Sequence, residues 1–372
     1  MRFKKAKKEE VQRSTGGSPL HYACTYGHVE VAKWLVKHGA DVHKIRYDSG
    51  FSPYTVAIVG ACDSINGSHA MEQFLEILKW LLKENNVPVD LLMPHDPVTP
   101  LYYAARRGKR ELVRTLVHCG ANTNFSSPLL VPGYGTPLSC AAQRGDLLMM
   151  SVLVGYGGSD VHQRAATDGG TALHAAAQAG HIRSMEWLVL EGGADVNATT
   201  GRGDSALHLA VHRGLPAAVL WLATVGMCDI EQPHAETNET ALQMAANTGN
   251  IAVVTTLVGE CAAFPDTQMN DSGFAALHCA IVNDNLEVIR YFVEKSTCNL
   301  DLKCAFVEKA HPHTALGKGV ASLCLTTLSH HTLPAENLLE GTEGLLSPPL
   351  EGETKQPSSE LSERQLAAPA FC

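Results

Sequence analysis

No stretch of the chain reaches the run of about 18 apolar residues that a membrane-spanning helix needs, so no span is expected. The first ten residues, Met1 to Glu10, carry four lysines but no apolar segment behind them, which excludes a secretory signal. The eleven cysteines are odd in number, and no two stand in Cys-x-x-Cys spacing. A closed disulfide framework is therefore not expected, and the cysteine usage reads as that of a reduced, intracellular compartment. Basic charge is also scarce. With 29 Lys and Arg against 38 Asp and Glu, the net charge is −9, which argues against bulk nucleic-acid binding. Catalytic constellations are lacking too. Gly317-Lys318-Gly319 has neither the upstream Gly nor the following Ser or Thr of a phosphate-binding loop, and His311, His313, His330 and His331 lack metal-ligand spacing. The reading is non-enzymatic, with no metal and no cofactor.

What the chain does have is one short phrase written eight times. Ser18-Pro19-Leu20-His21-Tyr22-Ala23 returns as Ser52-Pro53-Tyr54-Thr55-Val56-Ala57 and Thr99-Pro100-Leu101-Tyr102-Tyr103-Ala104. It continues at Thr136-Pro137-Leu138, Thr171-Ala172-Leu173-His174, Ser205-Ala206-Leu207-His208, Thr240-Ala241-Leu242 and Ala275-Ala276-Leu277-His278. The anchors at 20, 54, 101, 138, 173, 207, 242 and 277 are 34, 47, 37, 35, 34, 35 and 35 apart. The third residue after each anchor is always Ala, as small side chains let neighbouring helices approach. Seven after it comes Gly27, Gly108, Gly145, Gly180, Gly214 or Gly249, placed to end a helix in the left-handed region. Ser or Thr two before the anchor suits an N-cap, and Pro suits the first turn.

A period near 33 with this Thr-Pro-Leu-His-x-Ala signature resembles the ankyrin-repeat family. The resemblance covers roughly residues 15–302. It implies an all-α repeat solenoid of helix-turn-helix units joined by β-hairpin loops. The expected organisation is a basic N-terminal tail (1–14), eight repeats (15–302), a degenerate end of the array (303–333) and a disordered, Pro-, Ser- and Glu-rich tail (334–372). No polar capping repeat follows the eighth unit, which suggests a product of a longer gene. His21, His174, His208 and His278, directly after their anchors, are implied by the resemblance to hydrogen-bond the turn backbone.

Second helices carry a marker of their own. Leu or Phe lies fifteen residues after the anchor, and Trp34, Trp80, Trp187 and Trp221 occupy the slot just before it. That stripe predicts packing between repeats rather than an aromatic binding site. The second repeat holds about 12 extra residues, near 61–73, with a loop around 62–69. It reads equally as a functional loop or as a tolerated surface insertion. Asp48-Ser49-Gly50, Asp271-Ser272-Gly273 and Arg202-Gly203-Asp204 look like degradation or adhesion signals, but all fall on one turn position of the repeat.

The resemblance implies a concave groove lined by hairpin tips and by the exposed face of each first helix. Residues five and six after the anchor point toward it, among them Arg106, Arg107, Gln143, Arg144, His212 and Arg213. Four arginines on one surface of an acidic protein predict a site for an acidic or phosphorylated protein segment. Tyr26, Tyr102 and Tyr134 are expected to add aromatic anchors. The expected molecule is a monomeric scaffold or adaptor of the cytoplasm, with Lys4, Lys5, Lys7 and Lys8 as a weak nuclear-import patch. The alternative is a substrate-recruiting subunit of a ubiquitin ligase, on a faint match of Ser322-Leu323-Cys324-Leu325 and Leu333-Pro334 to the helical box of that class.

Overall fold

The computed structural model describes residues 16–302, apart from 96, 127–134, 268–272, 297 and 301. There the repeated phrase becomes eight helix pairs. The first is α1 (Pro19–Thr25) with α2 (Val29–Lys37), and the second is α3 (Pro53–Asp63) with α4 (His69–Glu84). Next come α5 (Pro100–Arg107) with α6 (Arg110–His118), α7 (Pro137–Gln143) with α8 (Leu147–Ser151), and α9 (Ala172–Ala179) with α10 (Ile182–Glu186). The last three are α11 (Ala206–His212) with α12 (Pro216–Thr224), α13 (Ala241–Thr248) with α14 (Ile251–Gly259), and α15 (Ala276–Val282) with α16 (Leu286–Lys295).

Each first helix starts and stops where its chemistry dictates. In most units the Ser or Thr before it holds extended backbone and its side chain accepts an orphan N–H, as Ser52 does from Thr55 at 3.2 Å and Thr99 from Tyr102 at 3.3 Å; Ala275 stands there in the eighth. At the other end Gly108 turns back at φ 72°, where a Cβ would be penalised. The eighth repeat has no glycine there, and Asp284 takes the same conformation at φ 55°.

First helices pack in a row, each against the one before and the one after, and second helices line up behind them. The invariant alanines make this possible. Ala57, Ala104, Ala141, Ala176, Ala210, Ala245 and Ala280 are completely buried. In the first and fifth repeats a histidine latches the unit to the next. The His174 Nδ1 accepts the Thr171 N–H at 3.1 Å, so the proton sits on Nε2, which donates to the Ala198 carbonyl of the following hairpin at 3.0 Å. His21 does the same with Ser18 and Phe51. In the seventh repeat Gln243 replaces the imidazole. Its Oε1 accepts from the Thr240 N–H at 2.9 Å, and its Nε2 donates to Thr267 and Phe274 carbonyls at 2.8 and 2.7 Å.

The hairpins are narrow turns. Their ends are drawn together by bonds such as Arg46 N–H to Phe51 O at 2.8 Å and His234 N–H to Glu239 O at 2.9 Å. Among the described residues the one strand-like pairing is the antiparallel bridge between Thr199 and Ser205. The Asp48-Ser49-Gly50 and Arg202-Gly203-Asp204 triplets lie at these tips, with Gly50 and Gly203 at φ 71° and 92°.

Several features depart from the sequence-based expectation. The fourth and fifth units carry one residue more after their second-helix leucine than the third, and α8 and α10 absorb it as single π-turns, Val152–Tyr156 and Trp187–Glu191. The extra residues of the second repeat are largely helical. The α3 helix runs to Asp63 and α4 has 16 residues, which leaves a loop of 64–68 only. The tryptophan slot also divides. Trp80 and Trp221 are buried and Trp187 is half-buried, but Trp34 is 58% exposed. The slot faces the preceding repeat: a Cβ built on Gly259 of the seventh unit would lie 3.7 Å from the Tyr291 Oη of the eighth. Before Trp34 no repeat stands among the described residues, so its ring stacks on His38 instead, at 4.0 Å between centroids.

The basic segment 1–14, the degenerate end at 303–333 and the tail at 334–372 lie outside the described residues, as does Tyr134. No helix among the described residues is long and apolar enough to cross a membrane.

Candidate partner-binding surface

Three of the four arginines meet at the C-terminal ends of α5 and α7. Arg106 and Arg107 occupy the last turn of α5, where cations oppose the negative end of the helix dipole. Both guanidinium groups lie near the ring of the buried Tyr103, at 5.7 Å for Arg106 and 5.3 Å for Arg107. Arg107 Nη2 also donates to the Tyr103 hydroxyl at 3.0 Å, and this bond holds its charged form more firmly than usual. Arg144 reaches back from the next repeat. Its Nη1 donates to the Arg106 carbonyl at 3.3 Å, and its guanidinium covers Gly108, where a Cβ would lie 2.5 Å from Nη2. Gln143 stands exposed beside it.

His212 and Arg213 are exposed at the end of α11, but two repeats away, with Gln178 and Ala179 of the fifth unit between. The structure thus brings Arg106, Arg107 and Arg144 together and leaves Arg213 apart. Tyr26 is 65% exposed and stacks on His28 at 6.1 Å. Tyr102 does not fit the expectation. It is 1% exposed and unable to act as an aromatic anchor, because it fills the latch position of His21 and His174 and points into the stack.

Two structural pieces were not legible in the sequence. Arg110, one turn beyond the cluster, is committed to Asp146, with Nε 2.9 and 2.7 Å from the two carboxylate oxygens. Asp146 in turn caps α8 through the Met149 N–H at 3.1 Å. The loop at 64–68 leans onto the third repeat. Lys109 Nζ donates to the Ser64 carbonyl at 2.5 Å, Asn66 Nδ2 to the Gly108 carbonyl at 3.4 Å, and the Gly67 N–H to Glu111 at 3.3 Å. The insertion itself is readable as extra length, but no local pattern says which neighbour it touches.

Toward the hairpins, a cleft of about 200 Å³ opens between the turns and first helices of the fourth to sixth repeats. Asp168, Gln178, Arg202 and Asp204 line it. Nearby, His208 is fully buried and its Nε2, unlike that of His21 or His174, has no hydrogen-bond partner. Its ring meets His234 edge-on at 5.7 Å, and His234 Nε2 lies 3.4 Å from Asp204. Among the described residues no three His, Cys, Asp or Glu side chains converge as a metal-binding set.

The helix pairs recur in the same register eight times, and the glycine turn six times. A profile described as "Ankyrin repeats (3 copies)" matches residues 128–200 and 207–304, and one described as "Ankyrin repeat" matches 15–46 and 98–127. The chain belongs to the ankyrin-repeat family. Neither match includes residues 47–97, where the lengthened helices of the second repeat break the period. Ankyrin repeats are protein–protein interaction domains. A curated relative, the glycerophosphocholine phosphodiesterase GDE1 of Candida albicans, is 27% identical over 173 residues, covering 38% of this chain and 15% of that protein. This chain thus corresponds to a small part of that relative's length. Among solved structures, the human ASB11 ankyrin repeat domain is similar at 25% identity and a TM-score of 0.49, over 65% of this chain and 97% of that one. The ankyrin repeat domain of Bcl-3, a member of the IkappaB protein family, is similar at 22% identity and a TM-score of 0.48, over 74% and 99%.

Proposed function

We propose that this ankyrin array is a non-enzymatic scaffold or adaptor that binds an acidic or phosphorylated segment of a partner protein along its first-helix ends. The observation that supports this is the contact of Arg144 with the Arg106 carbonyl, which gathers Arg106, Arg107 and Arg144 onto one exposed surface of a chain with net charge −9. Guanidinium groups read carboxylates and phosphates with paired hydrogen bonds. Tyr103 and the helix ends hold these groups in place, so less side-chain freedom is lost when a partner docks. Arg213 would extend the site to a longer segment. The residues that suggest a ubiquitin-ligase subunit, Ser322 to Leu325 and Leu333-Pro334, lie outside the described residues and add nothing here.

The test is affinity purification from lysate with the whole chain, beside a variant carrying Arg106→Ala, Arg107→Ala, Arg144→Ala and Arg213→Ala. Circular dichroism confirms that both are folded. Partners retained by the first and lost by the second are expected. Identical partner sets would overturn the reading.

A further inference from the structure

The sixth residue after the anchor forms a row along the array. It holds Tyr26 in the first repeat, Arg107 in the third and Arg144 in the fourth, all exposed. In the second repeat that position is Gly60, inside α3, whose Cβ would lie 3.3 Å from the Thr25 carbonyl of the first repeat. The turn at 64–68 that follows α3 bonds back to this position. It is fastened on both sides. Ser64 Oγ donates to the Gly60 carbonyl at 2.8 Å, the Ser68 N–H to the Ile65 carbonyl at 3.1 Å, and Lys109, Asn66 and Glu111 tie it to the third repeat. At its tip stands Ile65, 80% exposed.

A bulky aliphatic side chain held in water on a fastened turn has lost backbone freedom without burying its own surface. Ser64, the neighbour of Ile65, bonds Gly60, which approaches the Thr25 carbonyl next to the exposed Tyr26 in sequence, and accepts from Lys109 of the third repeat. The second repeat's loop reaches the Gly108 carbonyl, and the Arg144 guanidinium covers that same glycine. The turn that carries Ile65 and the Arg144 guanidinium thus meet at Gly108. The Asp63 carboxylate lies near Arg107, and Glu111 is engaged by the Gly67 N–H.

We propose that the insertion in the second repeat makes a composite docking surface for a segment with bulky apolar residues beside its acidic ones. The apolar end rests on Tyr26 and Ile65, and the acidic end pairs with Arg107 and Arg144. This rests on the acidic-segment reading above and adds the apolar half, the insertion and the direction in which the segment lies.

The test uses the full chain and two fluorescein-labelled synthetic peptides of equal length and charge. One alternates Glu with Gly and Ser throughout; the other replaces the Gly and Ser of one half with Leu and Phe. Fluorescence anisotropy is expected to show about tenfold tighter binding of the second peptide to the wild-type chain. Ile65→Ser should remove that preference while leaving affinity for the first peptide unchanged, and Ile65→Leu should retain it. Arg107→Ala with Arg144→Ala should weaken both peptides at least tenfold. Equal binding of the two peptides, or a preference that survives Ile65→Ser, would overturn the composite surface alone. Failure of both peptides to bind would overturn the acidic-segment reading and this inference with it.

Discussion

A histidine that serves as a latch works only while neutral, since its Nδ1 must accept a backbone N–H. Burial therefore lowers the pKa of His21, His174, His208 and His278 below the ordinary 6.5. For His208, burial and the neighbouring His234 push it down to about 4. Between these values the unfolded chain takes up a proton that the folded chain refuses, so stability is full above pH 6.5 and falls as the pH drops toward 4. The cost at His208 alone approaches about 3 kcal/mol at the acid end. His208→Gln should flatten part of this loss, because an amide does not titrate and Gln243 already fills the equivalent position of the seventh repeat, accepting the cap N–H. Urea midpoints at about pH 7 and pH 5, read against the ordinary histidine range, check it. His174→Ala removes both latch bonds of a buried ring and should cost about 2–4 kcal/mol at neutral pH. The cysteines give a second residue-scale test. Burial pushes the thiols of Cys24, Cys62 and Cys228 up to about 12 and that of Cys140 to about 11. Maleimide labelling of the folded protein near neutral pH should spare all four, and labelling in urea should reach them.

At the scale of the helix pair, the same side chain has different worth in different units. Trp221 is buried against its neighbours, and Trp34, in the equivalent slot, is exposed. Trp221→Ala should cost about 3–5 kcal/mol, and Trp34→Ala only about 0.5 kcal/mol. Urea unfolding of the two variants checks the contrast, and equal losses would show that Trp34 is covered by something beyond the described residues. The second helices show a further element-scale rule. The extra residue of the fourth and fifth units widens one turn to π geometry and leaves the helix before it in register. The extra residue is thereby absorbed within the second helix, and the alanines of the neighbouring first helices, Ala176 and Ala210, stay completely buried.

Across the array, contacts run between neighbouring units, which makes stability a sum of unit and interface contributions. An overpacked alanine should therefore act locally. Ala210→Leu in the sixth repeat should cost about 1–3 kcal/mol at that interface. Urea unfolding followed by circular dichroism is expected to broaden or split into two steps, with the units before the fifth repeat remaining folded after the others. A single shifted transition would instead show that the units unfold together.

Residues 18–23 and their seven echoes carried the fold by themselves, because caps, glycine turns and small-residue contacts act over a few positions and repeat with the chain. The latch histidines, the buried alanines and the left-handed glycines stand where the period places them. The direction of a side chain across units is not local, and there the pattern ran out. Tyr102 and Tyr103 are adjacent aromatics of one helix. Tyr102 occupies the latch position, while Tyr103 supports two arginines. The sequence placed four arginines on one face, but only packing decided that Arg144 joins Arg106 and Arg107 while Arg213 stands apart. It likewise showed twelve extra residues without showing that most become helix and that the rest fasten onto the third repeat. Periodic chemistry determines what each unit is, whereas what a unit touches depends on the surfaces that stacking brings together, and those exist only in the folded chain.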